Sequence, residues 1–158
     1  MTWEELEKTC KECTLCSLSE TRTNCVFGVG NREARLMFVG EAPGEKEDLS
    51  GIPFVGAAGQ LLDKYLTAVD IDRDSVYIAN ILKCRPPKNR DPDPEEQDKC
   101  IGYLREQVVI AIYIHRFAGY HGYIDIKRAE LRHRLFKQVS DLGYLAGHNG
   151  QRQLMFSG

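Results

Sequence analysis

The chain has 158 residues, 42% apolar and 28% charged, with a formal net charge of −2. That length and balance describe a single soluble domain, residues 1–158, with room for a core, and argue against a disordered or fibrous chain. No apolar run approaches the roughly 20 residues of a membrane span, and the acidic start Met1-Thr2-Trp3-Glu4-Glu5 lacks the basic and apolar regions of a signal peptide, so a cytoplasmic location is expected.

Thr2 to Glu5 reads as a capping box that opens a short helix. Leu36-Met37-Phe38-Val39 is a short apolar run ending at Gly40, as in a buried parallel strand. A Gly/Pro-rich loop follows from Gly40 to Gly56. Leu61, Leu62, Tyr65, Leu66 and Val69 then recur at helical spacing. Val76-Tyr77-Ile78-Ala79 predicts a second strand, ending at Asn80. Asp93-Pro94-Glu95-Glu96 supplies an N-cap, a first-turn proline and a capping acid, so a helix starts there and carries Cys100. Val108 to Ile114 is a β-branched run and predicts a third strand. Ile126 to Leu142 suits a last helix. Strands alternating with helices predict an α/β fold: a three-layer α/β/α sandwich around a mainly parallel sheet. In such sheets, sites lie beyond the C-terminal strand ends, here Gly40–Glu47 and Asn80.

Charge and composition change near Gln107. Residues 1–107 carry 14 Lys+Arg against 20 Asp+Glu, and residues 108–158 carry 7 against 3. All six cysteines fall in the first part and all four histidines in the second, without the linker composition of a domain boundary.

Cys13 and Cys16 form a C-x-x-C pair, Cys84 follows 68 residues later, and Cys100 16 residues after that. In a reducing compartment this pattern points to a metal centre rather than disulfides, either an iron–sulfur cluster or a structural zinc. Cys10 could enter a C-x-x-C-x-x-C run but is read as a spare thiol, and Cys25 as a small buried hydrophobe. Between the strand ends, the glycines allow close backbone approach to a ligand. Phe54 offers a stacking face. Asn80 offers one donor and one acceptor, a compact means of reading a nucleobase edge. Lys83, Arg85, Lys88 and Arg90 form a basic cluster in an acidic region, suited to phosphate contact.

The stretches C-T-L-C-S-L-x-x-x-R-T (Cys13 to Thr23), G-E-A-P-G-x-x-E-D (Gly40 to Asp48), G-I-P-F-V-G-x-A-G (Gly51 to Gly59) and N-I-L-K-C-R-P-P-x-N-R (Asn80 to Arg90) resemble the family 4 uracil-DNA glycosylases. The likeness covers about Cys13 to Gln107. It implies a monomer that acts on uracil-containing DNA and leaves an abasic site. It implies a [4Fe–4S] centre, with zinc the alternative, on Cys13, Cys16, Cys84 and Cys100. It further implies that Phe54 stacks on a flipped uracil and that Asn80 reads its edge. Glu41, Glu47 and Asn80 would then be catalytic, with Glu41 and Ala42 also lining the substrate pocket. The family's His-Pro motif, which leads into Leu-Leu-Arg and supplies a histidine donor, is absent. His115, His121, His133 and His148 all lie in other contexts, and only His121 and His148 sit in glycine-flanked loops able to substitute. The 108–158 tail is therefore read as diverged, recombined or frame-shifted. The alternative function is a catalytically impaired iron–sulfur remnant that binds DNA.

Overall fold

The computed structural model describes residues 1–117, 145–146 and 152–155. The expected last helix and the two glycine-flanked histidines lie outside these residues. The elements in chain order are α1 (Trp3–Lys11), α2 (Leu18–Thr21), β1 (Val29–Gly30), β2 (Met37–Gly40), α3 (Glu45–Ser50), α4 (Ala57–Ala68), β3 (Tyr77–Asn80), α5 (Pro94–Phe117), β4 (Leu145–Ala146) and β5 (Arg152–Met155). None of the described helices is long and apolar enough to cross a membrane.

Local chemistry explains most boundaries. Thr2 Oγ1 accepts from Glu5 N, and the Glu5 carboxylate accepts from Thr2 N at 2.8 Å, so the expected capping box opens α1. The Gly40–Gly56 segment contains an element its composition hides: α3, a helix of six residues closed by Gly51 at φ 73.

The strand predicted over Val108–Ile114 is not formed. Helix α5 runs straight through Gln107 to Phe117. No turn residue intervenes, and Leu104, Gln107 and Ala111 return to the core at helical spacing, with Ile110 packed beside them. Burial of that face overrides the weak β preference of Val108, Val109 and Ile110.

The sheet order is β1-β3-β2-β5-β4. Only β2 and β3 pair in parallel, with Gly40 opposite Asn80. The pairings β1–β3, β2–β5 and β4–β5 are antiparallel, so the sheet is mixed. Alternation along the central strands sends side chains to two clusters. Val39, Tyr77 and Ala79 pack with Trp3, Leu6 and Cys10 of α1, Phe27, and Leu104 of α5. Phe38, Val76 and Ile78 pack with Leu62 and Leu66 of α4. Full burial of a Val, Leu, Ile or Phe among them contributes about 1.5–3 kcal/mol. The two central strands thus end together at Gly40 and Asn80, held from both faces.

Candidate active site and cysteine cluster

Beyond those strand ends the two chains stay side by side. Ile81 N donates to Gly40 O (2.9 Å) and Leu82 N to Glu41 O (3.0 Å). The loop Gly40–Glu47, Phe54, Gly56 and the segment Pro86–Pro92 close round a cleft of about 420 Å³, with Asn80 in its wall. This volume suits a small planar ligand. Glu41, Ala42, Glu47, Phe54 and Asn80, all expected at the site, line this one cleft.

Gly40 is the contact point. A Cβ on it would stand 2.3 Å from Asn80 Oδ1 and 2.6 Å from Phe54 Cζ. Only glycine lets the ring and the amide meet there. Asn80 is itself 2% exposed.

Phe54 has a left-handed backbone, φ 56. For a non-glycine residue this costs on the order of 1–3 kcal/mol and needs support from its surroundings. The support is visible on both sides. Glu47 Oε1 accepts from Val55 N (3.0 Å) and Gly56 N (2.7 Å), while Oε2 accepts from Gly44 N (3.1 Å). Arg73, anchored by Asp63, donates to Phe54 O (2.9 Å) and Pro53 O (3.2 Å). Gly59 lies so close that a Cβ would be 1.8 Å from Phe54 O. Buried Asp48 fixes the other end of the loop, accepting from Thr23 N (2.9 Å) and Asn24 N (3.3 Å).

The cysteine quartet gathers behind this loop. Cys84 and Cys100 pack with Leu18 and Leu82, and Cys16, Ala42 and Tyr103 lie against them. Cys13 lies close to the Tyr103 side chain. Three of the sulfurs accept N–H bonds: Cys84 from Arg22 (3.1 Å), Cys100 from Lys83 N (3.2 Å) and Cys13 from Leu15 N (3.5 Å). Burial pushes the Cys84 thiol up to about 11 and the Cys100 thiol up to about 12. Among the described residues no three His, Cys, Asp or Glu side chains are grouped tightly enough to share one metal ion. Cys10 and Cys25 stand apart as a pair, Sγ to Sγ 3.5 Å, with Cys25 half-buried rather than sealed in the core.

The basic cluster divides. Lys83, expected at phosphate, is 1% exposed and points inward, donating to Phe27 O, Asn80 O and Gln107 Oε1. Burial pushes its ammonium down to about 8. Arg90 is committed to Glu96 (2.6 and 3.0 Å), which is buried and also accepts from Asp93 N. Arg85 bonds Asn89 (2.7 Å) and faces Glu45 at 3.6 Å. Lys88 is exposed, at φ 55. Arg73 and Gln107 escaped the sequence reading because each works on groups far along the chain, whereas Asp48 had a signal in its fixed place in the Gly40–Asp48 stretch. Arg22 had a signal, its fixed place in the Cys13–Thr23 stretch.

A family model of the uracil DNA glycosylase superfamily matches residues 27–139, continuing past Gln107. The chain is 53% identical over 105 residues to the type-4 uracil-DNA glycosylase of Archaeoglobus fulgidus, covering 66% of this chain and 53% of the relative. It is 54% identical over 100 residues to that of Thermotoga maritima (63% and 52%) and 48% identical over 108 residues to that of Sulfurisphaera tokodaii (68% and 49%). The chain thus spans about half the length of these curated relatives. The superfamily match takes in both strand ends, the Phe54 loop and α5, and on that extent the chain belongs to the uracil DNA glycosylase superfamily.

Proposed function

We propose that the chain is a DNA glycosylase that hydrolyses the N-glycosidic bond of uracil and leaves an abasic site. In this reading it is a cytoplasmic monomer whose single domain is a three-layer α/β/α sandwich. The observation that carries the function is the convergence of Phe54 and Asn80 over Gly40 in one cleft.

Uracil departs as an anion while the sugar gains positive character, so donors aimed at the uracil oxygens favour the transition state over the ground state. Asn80 pairs with O4 and N3–H of uracil. Cytosine presents the reverse order and leaves polar groups unpaired, at about 1–3 kcal/mol each. Flipping the base costs a few kcal/mol, and stacking on Phe54 returns about 1–3 kcal/mol. Glu41 and Ala42 line the substrate side of the cleft, and Glu47 serves as the acid that holds the Phe54 loop in place. Arg85 and Lys88 face phosphate in this reading.

Cys13, Cys16, Cys84 and Cys100 would hold a [4Fe–4S] cluster. Their N–H···S bonds suit charged sulfur. One tetrahedral zinc, about 2.3 Å from each sulfur, needs four sulfurs within about 4 Å of one another. A four-iron cluster gives each cysteine its own iron, and the resemblance of the four sequence stretches to the family 4 enzymes favours it over zinc. When bound, it ties the α1–α2 segment to the segment after β3 and to α5.

The test is uracil release from a labelled single-stranded oligonucleotide by iron-loaded protein, beside Asn80→Ala. Release that the variant loses supports the reading. The missing His-Pro dipeptide favours a second reading, a protein that binds uracil-containing DNA without cutting it. Tight binding with no release from loaded protein selects that one.

A further inference from the structure

The proposed reaction makes no use of the one ammonium that lies directly behind its base reader. Lys83 Nζ donates to Asn80 O (2.8 Å), Gln107 Oε1 (2.8 Å) and Phe27 O (3.1 Å). All three acceptors are neutral. Gln107, 0% exposed on α5, spends its own amide protons on Phe27 O (3.0 Å) and Tyr77 Oη (3.1 Å). Its oxygen is thereby left facing Lys83. Burying an ammonium without a carboxylate is costly, and methionine would fill similar space without that cost. The cation therefore calls for a use.

Its geometry supplies one. The peptide group joining Asn80 to Ile81 is pinned at both ends: its N–H donates to Gly40 O (2.9 Å), and its C=O accepts from Lys83 Nζ (2.8 Å). Fixing that plane fixes the direction in which the Asn80 side chain leaves the backbone. Past the strand end, this one main-chain bond and the Lys83 ammonium together hold the plane. Resting on the uracil reading above, we propose that Lys83 is a positioning residue: its buried ammonium sets the peptide plane from which the Asn80 amide enters the cleft, and so the accuracy with which uracil is read.

The experiment compares iron-loaded wild type and Lys83→Met. Turnover on a uracil oligonucleotide should fall about 10- to 100-fold in kcat with less than about a 3-fold change in KM, at unchanged iron content. A crystal structure of the variant should show the Asn80 amide turned away from its place over Gly40. An unmoved Asn80 overturns the proposal whether or not turnover is detected. So does wild-type kcat in the variant. Absence of release by the wild type refutes the uracil reading alone, because the Asn80 orientation is still read from the crystal. Should Lys83→Met lose its iron or unfold, Lys83→Gln takes its place. Its neutral amide ends one bond short of Asn80 O, and kcat should fall about 3- to 10-fold; an unchanged kcat and Asn80 orientation overturn the proposal.

Discussion

The Phe54 ring and the Asn80 amide meet across Gly40, where a single added methyl would stand 2.6 Å from one and 2.3 Å from the other. Two residues 26 positions apart are thus set against each other by the parallel register that places Gly40 opposite Asn80. Gly40→Ala should therefore act on the site more than on the fold. We expect kcat/KM for uracil release to fall about 10- to 100-fold, the equivalent of an overpacking penalty of about 1–3 kcal/mol. Retained Phe54 stacking and wild-type kinetics in this variant would show that the two groups do not share a ligand.

Glu47 accepts three backbone N–H groups and holds the left-handed Phe54 loop. Glu47→Ala should destabilise the protein by about 1–3 kcal/mol, through amides left without an acceptor. Thermal unfolding measures this. Glu47→Gln should retain the Val55 and Gly56 bonds and lose less, because only the Gly44 N–H then meets a donor. A role confined to chemistry would instead leave the melting temperatures of both variants at the wild-type value.

The cysteines should separate into two groups by metal analysis. Cys84→Ala or Cys100→Ala is expected to lose most of about four irons per chain and to unfold at lower temperature. Cys10→Ala and Cys25→Ala are expected to keep their iron, since that pair lies outside the quartet. Zinc in place of iron in anaerobically purified protein would reverse the assignment of the centre.

Much of this was legible in the sequence because it rests on short-range rules. The Thr2/Glu5 cap, the Asp93-Pro94 helix start and the two central strands follow from local spacing and propensity. Gly40, Phe54 and Asn80 stood out through their motifs. What escaped is set by long-range burial. Lys83 looks like a phosphate ligand until α5 and Phe27 close over it. The Val108–Ile114 run looks like a strand until the face formed by Leu104, Gln107 and Ala111 is seen to be buried. Helix α3 hides in a segment whose glycines and prolines signal a loop.

The Arg90–Glu96 pair predicts an acid limb. The Arg90 guanidinium, helped by the Asp93 N–H, holds the Glu96 carboxyl below its ordinary value of 4.5. A carboxyl lowered in the folded state adds stability that is present above about pH 4.5 and is lost as pH falls through its lowered value. The melting temperature of wild type should drop on acidification below pH 4.5 more steeply than that of Glu96→Gln. Parallel curves would mean that the pair contributes nothing to the fold.

Salt dependence distinguishes the basic residues. Replacing an exposed phosphate contact, Lys88→Gln, should lessen the slope of log affinity against log salt by about 0.7 on single-stranded DNA. Lys83→Met should leave that slope unchanged, because the ammonium does not reach solvent.

The central claim is tested most directly by mass-spectrometric detection of free base from matched uracil and cytosine oligonucleotides incubated with iron-loaded protein. The account predicts free uracil in amounts equal to the abasic sites formed, no free cytosine, and loss of release in Asn80→Ala. Oligonucleotide bound but recovered intact, or cytosine released as readily as uracil, would contradict it.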